Sequence, residues 1–183
     1  MILGITGGSG TGKSSIARLI GFRVIDADSL YHELLRGDDM LKGELKEEFG
    51  TFERRALAGI VFSDKSKLER LNAITFKYTM AKIEKELKNL PADANAIIDA
   101  PLLFESGLNK RCDFTVAVLA EAKTRINRIS ERDHISKEQA ARRISAQKPD
   151  EYYIQNADYI IRNEDGEDLQ EAAAQIKKIL GKI

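Results

Sequence analysis

Short apolar, partly β-branched runs alternate along the chain with longer stretches in which apolar positions recur at helical spacing. The runs at 2–6, 22–25, 96–99, 114–119 and 159–161 read as buried strands, since a strand covered on both faces shows a continuous apolar run instead of strict alternation. Between them lie helical patterns. Leu68, Leu71, Tyr78, Ile83 and Leu87 mark one long helix, and Ser66-Lys-Leu-Glu69 predicts a capping box at its start. Ser136-Lys-Glu-Gln139 predicts a second capping box, for a helix carrying Ala140, Ile144 and Gln147. Leu169, Ala173, Ile176 and Leu180 form the apolar stripe of a C-terminal helix. Strands alternating with helices predict a parallel five-stranded sheet covered on both faces. The stretch 29–90 carries no strand signal and reads as a helical insertion between the second and third strands.

Composition narrows the class. The chain has 183 residues, 43% of them hydrophobic and 32% charged, which suits one globular domain with its own core. Its 29 basic residues equal its 29 acidic ones, so no global field draws it to nucleic acid or to an anionic membrane, and neither is expected as a partner. The single cysteine, Cys112, can make neither an internal disulfide nor a cysteine-based zinc site, which fits a reducing compartment. The first residues lack the basic and apolar regions of a signal peptide, and no apolar run approaches the roughly 20 residues that span a bilayer. A cytoplasmic protein is the expectation. Locally the charge is uneven: 121–148 holds eight basic against four acidic residues, and 149–183 the reverse. Solvated helix faces are the plain explanation of such runs, but a phosphate-binding motif elsewhere gives the basic stretch a second one.

That motif is Gly7-Gly-Ser-Gly-Thr-Gly12-Lys13-Ser14, which satisfies G-x-x-x-x-G-K-[ST] between an apolar strand and the helical pattern Ile16-Ala17-Arg18-Leu19-Ile20. The residue types follow from the chemistry. Glycines let the backbone curl so that successive N–H groups surround phosphate oxygens, which assigns Gly8, Ser9, Gly10, Thr11 and Gly12 to a nucleotide phosphate cradle. The helix that starts at the anion adds its unpaired amides. Lys13 reaches the β and γ phosphates of ATP, and the Ser14 hydroxyl can ligate Mg²⁺. A glycine-rich turn with no ligand is the alternative, and the Lys-Ser ending with both flanks in agreement argues against it.

The loop alone does not separate kinase, GTPase and motor. A guanine reader needs N-K-x-D after a strand, whereas Asn109-Lys110-Arg111-Cys112 puts cysteine in the acidic place and precedes its strand. The short chain favours a small-molecule kinase, which needs a carboxylate at the acceptor hydroxyl and arginines for the charge of the transferred group. Asp26-Ala27-Asp28 follows the second strand, at the sheet edge where α/β ligands bind. Alternation along an extended segment lets only one of the pair point to phosphate, and Asp28 can equally be the N-cap of the next helix. Arg125, Arg128 and Arg132 share a helix face, as a surface stripe or as a lid that closes over ATP. Ile97-Ile98-Asp99 resembles a Walker-B strand end, with Asp99 near the metal, and Glu105 lies either in the acceptor crevice or at the surface. His32 and His134 are isolated and read as surface or structural residues.

Taken together, these strings resemble the dephospho-coenzyme A kinase family. The matching segments are Gly4-Ile-Thr-Gly-Gly-Ser-Gly-Thr-Gly-Lys-Ser14, Val24-Ile-Asp-Ala-Asp28, Leu71-Asn-Ala-Ile-Thr75 and Asp99-Ala-Pro-Leu-Leu-Phe-Glu105. Arg128-x-x-x-Arg132-Asp133, Arg143-Ile-x-x-Gln147 and Ala157-Asp-Tyr-Ile-Ile-x-Asn163 extend the match over nearly the whole chain. The resemblance implies a P-loop NTPase-type three-layer α/β fold: a core of 1–28, 91–120 and 149–183, a helical acceptor-binding insertion at 29–90, and a helical lid at 121–148. It implies ATP-dependent phosphorylation of the ribose 3′-hydroxyl of dephospho-CoA, with Mg²⁺ held near Ser14 and Asp99. Asp28 is then the catalytic carboxylate, Lys13 and Arg128 serve the transferred phosphoryl, and Arg132 and Asn163 belong to the nucleotide site. A kinase of another small acceptor, such as a nucleoside monophosphate, and a nucleotide-binding module without catalysis are the other readings. The chain also departs from the family pattern. Phe76-Lys77 stands where the family usually has His-Pro, only twelve residues separate Lys13 from Asp26, and Gly50-Thr51-Phe52-Glu53 lacks a loop usual before Arg54-Arg55-Ala56-Leu57. The first change bears on acceptor contacts, while the trims shorten surface connections.

Overall fold

The computed structural model describes residues 1–61, 64–166 and 168–181. Its five strands, β1 (Ile2–Thr6), β2 (Arg23–Asp26), β3 (Ala96–Asp99), β4 (Phe114–Leu119) and β5 (Tyr159–Arg162), form one sheet in the order β2-β3-β1-β4-β5. β1 pairs in parallel with β3 (Ile2↔Ala96 to Ile5↔Asp99) and with β4 (Leu3↔Phe114 to Thr6↔Ala117), and β4 pairs in parallel with β5 (Val116↔Tyr159 to Leu119↔Arg162). Every residue of β3 and β4 is buried, which is why these strands read as continuous apolar runs. The second strand sits one residue later than its apolar run suggests. Ile25 is its buried residue and Arg23 its exposed one, and Arg23 N–H donates to Asn95 O at 3.3 Å.

The chain divides into two compact units, residues 1–24 with 93–183, and residues 25–92. In the first, α1 (Lys13–Ile20) and α9 (Leu169–Leu180) cover one sheet face, where Ile16, Ile20, Ile176 and Leu180 pack with Leu3, Ile5, Val116 and Val118. Tyr153 of α8 (Asp150–Asn156) packs with Ala117 and Leu119, the β4 residues of opposite parity, which places α8 on the other face. Between these elements run α6 (Ala122–Asp133) and α7 (Lys137–Ser145). The Ser136–Gln139 capping box forms as its sequence predicts, but α7 ends at Ser145, so Gln147 stands outside the helix. Carboxylates pin strand starts: Ile2 N–H donates to Asp113 Oδ2 at 2.6 Å, and Thr115 N–H to Asp158 Oδ2 at 2.7 Å.

The second unit is helical: α2 (Ala27–Gly37), α3 (Asp39–Phe49), α4 (Arg54–Val61) and α5 (Lys65–Lys88) gather Leu34, Leu41, Leu45, Leu57 and Ile74 into a core of their own. One expected cap is corrected here, and the alternative cap role of Asp28 falls away. α5 is capped not by Ser66 but by Asp64, whose side chain accepts from Lys67 N–H; an extended residue just before the helix can turn its oxygen onto the first-turn amides, whereas Ser66 lies inside that turn. α2 is capped by Asp26, which accepts from Ser29 N–H at 3.0 Å, and Asp28 lies in its first turn. None of the described helices is long and apolar enough to cross a membrane.

Cys112 is a free thiol, and burial, followed by the charges of Asp113 and Asp158, pushes its pKa up to about 12. Its sulfur packs against the central strand at Gly4, where a Cβ would stand 2.8 Å from Cys112 Sγ, 2.9 Å from Leu103 Cδ2 and 3.3 Å from Thr115 Cγ2. Two of those distances are shorter than packed side chains tolerate, so the buried Leu103 and the half-buried Cys112 side chains must shift. Gly4→Ala should therefore lower unfolding stability by about 1–3 kcal/mol in a urea titration. An unchanged midpoint would show that the core can open at this point.

Candidate active site

The loop between β1 and α1 is shaped by its glycines. Gly10 (φ +81°) and Gly12 (φ +87°) adopt the left-handed conformation. Gly7 faces a different limit, because a Cβ there would collide with the carbonyl oxygen of Val118 on the neighbouring β4. Thr11 is buried, and its hydroxyl donates to Gly8 O at 3.0 Å across the loop. Gly12 is the N-cap of α1 and brings no side chain to the first turn; Ser15 N–H donates to Gly12 O at 3.0 Å, and the Lys13 and Ser14 amides are left for an anion.

Side chains from elsewhere grip the outside of this loop. Three successive carbonyls each receive a donor: Ser9 O from Arg125 Nε at 3.0 Å, Gly10 O from Arg128 Nη1 at 3.4 Å, and Thr11 O from Asn163 Nδ2 at 2.7 Å. A trans peptide sets N–H opposite C=O, so the Gly10 and Gly12 amides, which follow the Ser9 and Thr11 carbonyls, turn away from those donors, while Thr11 N–H is directed at Gly8 O at 3.4 Å. Asn163 is buried at the end of β5, held by its own N–H to Leu119 O at 2.9 Å. Arg128 also donates to Asn163 O at 3.0 Å and pairs with Asp165 at 3.1 Å. Arg125 is only 5% exposed, and burial lowers its guanidinium pKa while Asp150, 3.7 Å away, opposes the shift. The sequence placed Arg125 in a helical stripe or a lid and Gln147 on a helical pattern and in a family string, and the structure brings both to the loop: Gln147 Oε1 accepts from Ser9 N–H at 3.0 Å and from Arg125 Nη2 at 2.7 Å.

Inside the loop, Lys13 Nζ lies 3.0 Å from Asp99 Oδ1 and 3.4 Å from Ser14 Oγ. Asp99 is 1% exposed, and the lysine approaches it without hydrogen-bond alignment, so neither carboxylate oxygen accepts a hydrogen bond among the described residues. A buried carboxylate in that state is suited to receive a cation.

Other candidate residues lie outside this loop. The structure does not bring Arg132 to the loop: its guanidinium pairs with Asp133 through Nε at 2.7 Å and Nη2 at 3.0 Å, and its side chain is 61% exposed. Arg143 binds the same carboxylate, and these hydrogen bonds hold the Asp133 pKa well below the usual range. Glu105 is not at the surface. Both its carboxylate oxygens are buried without a well-formed hydrogen bond among the described residues, and its charge adds to the burial that raises Tyr153 to about 12. His134 is the exposed, left-handed C-cap of α6. In the helical unit, Lys77 of α5 reaches Glu44 of α3 at 3.0 Å, where Tyr78 also donates at 2.7 Å, so the departure from the family's His-Pro is taken up in a helix-to-helix tie.

Comparison with known proteins agrees with this geometry. A family model described as dephospho-CoA kinase matches residues 1–168. The Fusobacterium nucleatum dephospho-CoA kinase is 37% identical over 173 residues, spanning 89% of each chain. The Aquifex aeolicus dephospho-CoA kinase is 36% identical over 189 residues, spanning 97% of this chain and 94% of its own. A crystal structure from Thermus thermophilus superposes with a TM-score of 0.83 at 33% identity, covering 100% of this chain and 97% of its own. On a family match that runs through the phosphate loop, Asp99, Arg128 and Asn163, the chain belongs to the dephospho-CoA kinase family.

Proposed function

We propose that this chain transfers the γ-phosphoryl group of ATP to the ribose 3′-hydroxyl of dephospho-CoA, giving coenzyme A and ADP. The observation that carries the proposal is the loop itself: its carbonyls are bound from outside by Arg125, Arg128 and Asn163, so that amides, Lys13 and the α1 N-terminus converge on one anion site. Family membership supplies the acceptor. The ribose oxygen attacks the γ phosphorus, the bond from that phosphorus to the β–γ bridging oxygen breaks, and the hydroxyl proton leaves to a carboxylate. Asp28 is that carboxylate, orienting the hydroxyl and accepting its proton. Gly8, Ser9, Gly10, Thr11 and Gly12 form the phosphate cradle, in which the Ser9 N–H is taken by Gln147 Oε1 and the Thr11 N–H is directed at Gly8 O, and Lys13 follows the transferred group. The lid role of 121–148, with Arg128 stabilising charge on the phosphoryl group, and acceptor binding by the helical stretch 29–90 belong to the same reading.

Ser14 and Asp99 are the residues that would hold Mg²⁺: the buried Asp99 carboxylate faces the Lys13 ammonium at 3.0 Å, accepts no hydrogen bond among the described residues, and suits a second positive charge. The ion supplies charge neutralisation on the phosphate oxygens when bound. The described residues contain no cluster of three or more His, Cys, Asp or Glu that could hold a metal, which suits an ion bound largely through nucleotide phosphates and water. The helical unit also has a cavity of about 510 Å³ lined by Glu44, Glu47, Glu48 and Arg70 with Met40 and Tyr78. Three glutamates would repel the diphosphate of dephospho-CoA, so the acceptor is not assigned to that cavity. A cytoplasmic setting suits ATP chemistry and the single free thiol.

ADP release measured with dephospho-CoA against a panel of nucleoside monophosphates tests the whole reading, and turnover confined to a monophosphate would replace the acceptor. Lys13→Ala should nearly abolish transfer while circular dichroism stays unchanged. Normal turnover would remove the lysine from the chemistry. Arg128→Ala should lower kcat by about 10³-fold, the size typical of an arginine on a transferring phosphoryl; a rise in KM for ATP alone would reassign it to nucleotide binding. Asp28→Asn should slow the single-turnover rate by about 10²- to 10⁴-fold, as loss of a general base does. The capping contribution lies elsewhere, so Asp26→Ala is the variant expected to lose about 1 kcal/mol of stability. Were the rate loss to follow Asp26 instead, the two aspartates would exchange roles.

A further inference from the structure

Gln147 reaches the phosphate loop from two residues beyond the end of α7, and its partners fix which way its amide points. Ser9 N–H and Arg125 Nη2 both donate to one atom, at 3.0 Å and 2.7 Å, so that atom is the carbonyl oxygen Oε1. A flipped amide would set an NH₂ against two donors. The other end, Nε2, therefore donates, and its acceptor is Ser9 Oγ at 2.9 Å. Arg125 cannot easily turn away: it is buried, donates through Nε to Ser9 O, and lies beside Asp150.

This chain of contacts leaves the Ser9 hydroxyl one task. A serine hydroxyl has one proton and two lone pairs. One lone pair takes the Gln147 Nε2–H, while among the described residues no acceptor is recorded for the proton of Ser9 Oγ. The Ser9, Gly10 and Thr11 carbonyls already take donors from outside the loop, so the acceptor that suits this place is a phosphate oxygen. We propose that Arg125 and Gln147 are positioning residues for phosphoryl transfer: Arg125 orients Gln147, Gln147 orients the Ser9 hydroxyl, and that hydroxyl donates a hydrogen bond to the transferring phosphoryl group. The inference rests on the kinase reading above and deepens it. It makes the hydrogen bond strengthen as charge spreads over the phosphoryl oxygens, so the effect falls on kcat more than on binding.

The test compares Ser9→Ala, Gln147→Ala and the double variant by kcat, KM for ATP, and ADP affinity by calorimetry, since ADP lacks the transferring group. Each single variant should lose about 10- to 100-fold in kcat, the range for one charge-assisted hydrogen bond, with ADP affinity nearly unchanged. The double variant should be no slower than the worse single one, because both remove the same interaction. Multiplicative losses, or a Ser9→Ala enzyme with normal kcat, overturn the proposal. So does a Gln147→Ala enzyme that binds ATP more tightly at normal kcat, which would make Gln147 a competitor of the phosphate. Should Gln147→Ala fail to fold, Ser9→Ala still decides, since the bonds to the Ser9 backbone survive it. Failure of the kinase reading is separate: wild-type protein would then release no ADP with dephospho-CoA, before any variant is compared.

Discussion

A backbone that turns its N–H groups onto an anion must turn its C=O groups the other way, and those carbonyls need donors of their own. In this protein the requirement is met by Arg125, Arg128 and Asn163, each bound to a different one of three consecutive loop carbonyls. The donors come from α6 and from the end of β5, so the shape of the loop depends on elements far along the chain. The strand order makes this possible. β4 lies next to β1 and β5 next to β4, which brings the segments leaving their carboxyl ends beside the segment leaving β1. Two of the glycines follow from the same constraint: a side chain at Gly8 would collide with Arg125, and one at Gly12 with Asn163. They are small because the donors outside the loop stand so close.

The same contacts explain the uneven charge of 121–148. Its basic excess has two parts with different physics. Arg125 and Arg128 are drawn onto the loop carbonyls and there add positive potential behind an anion site, in a partly desolvated place where a charge counts for more than in water. Arg132 and Arg143 instead share Asp133 at the surface, where ion pairs contribute little to stability but can tie α6 to α7. A loop-binding part and a solvated part thus follow each other along one face of α6, about one turn apart.

The sequence made the sheet legible because strands buried on both faces leave continuous apolar runs, and four of the five runs start at the residue where the strand starts. The P-loop was equally plain, since its glycines and Lys-Ser ending answer to local geometry. What the residues did not disclose is direction. Spacing places Arg125, Arg128 and Arg132 on one face of α6 but cannot say which of them packs against another element and which ends in solvent. Gln147 was read as a helical position, and it matters because the helix has already ended. Asp26 and Asp28 are two residues apart on a segment that changes from strand to helix between them, so period-two alternation could not assign the cap.

The departure at Phe76-Lys77 shows how such a change can be absorbed. A histidine and a proline within α5 would remove one backbone donor and one cation from a helix that here runs unbroken from Lys65 to Lys88. Lys77 and Tyr78 instead converge on Glu44, and the Tyr78 hydrogen bond, followed by that of Lys77, holds the Glu44 pKa below its ordinary value. The glutamate stays charged and binds α3 to α5 beside Leu41, Leu45 and Ile74, the core of the helical unit. Such a tie is exposed and individually weak. Its value lies in orientation, because two donors on one carboxylate fix the register of α3 against α5 more narrowly than apolar contacts alone. The loop, Lys13, Asp99 and their supporting arginines draw on none of these residues. The departure at Phe76-Lys77 is therefore confined to contacts within the helical unit and touches none of the residues that bind the loop.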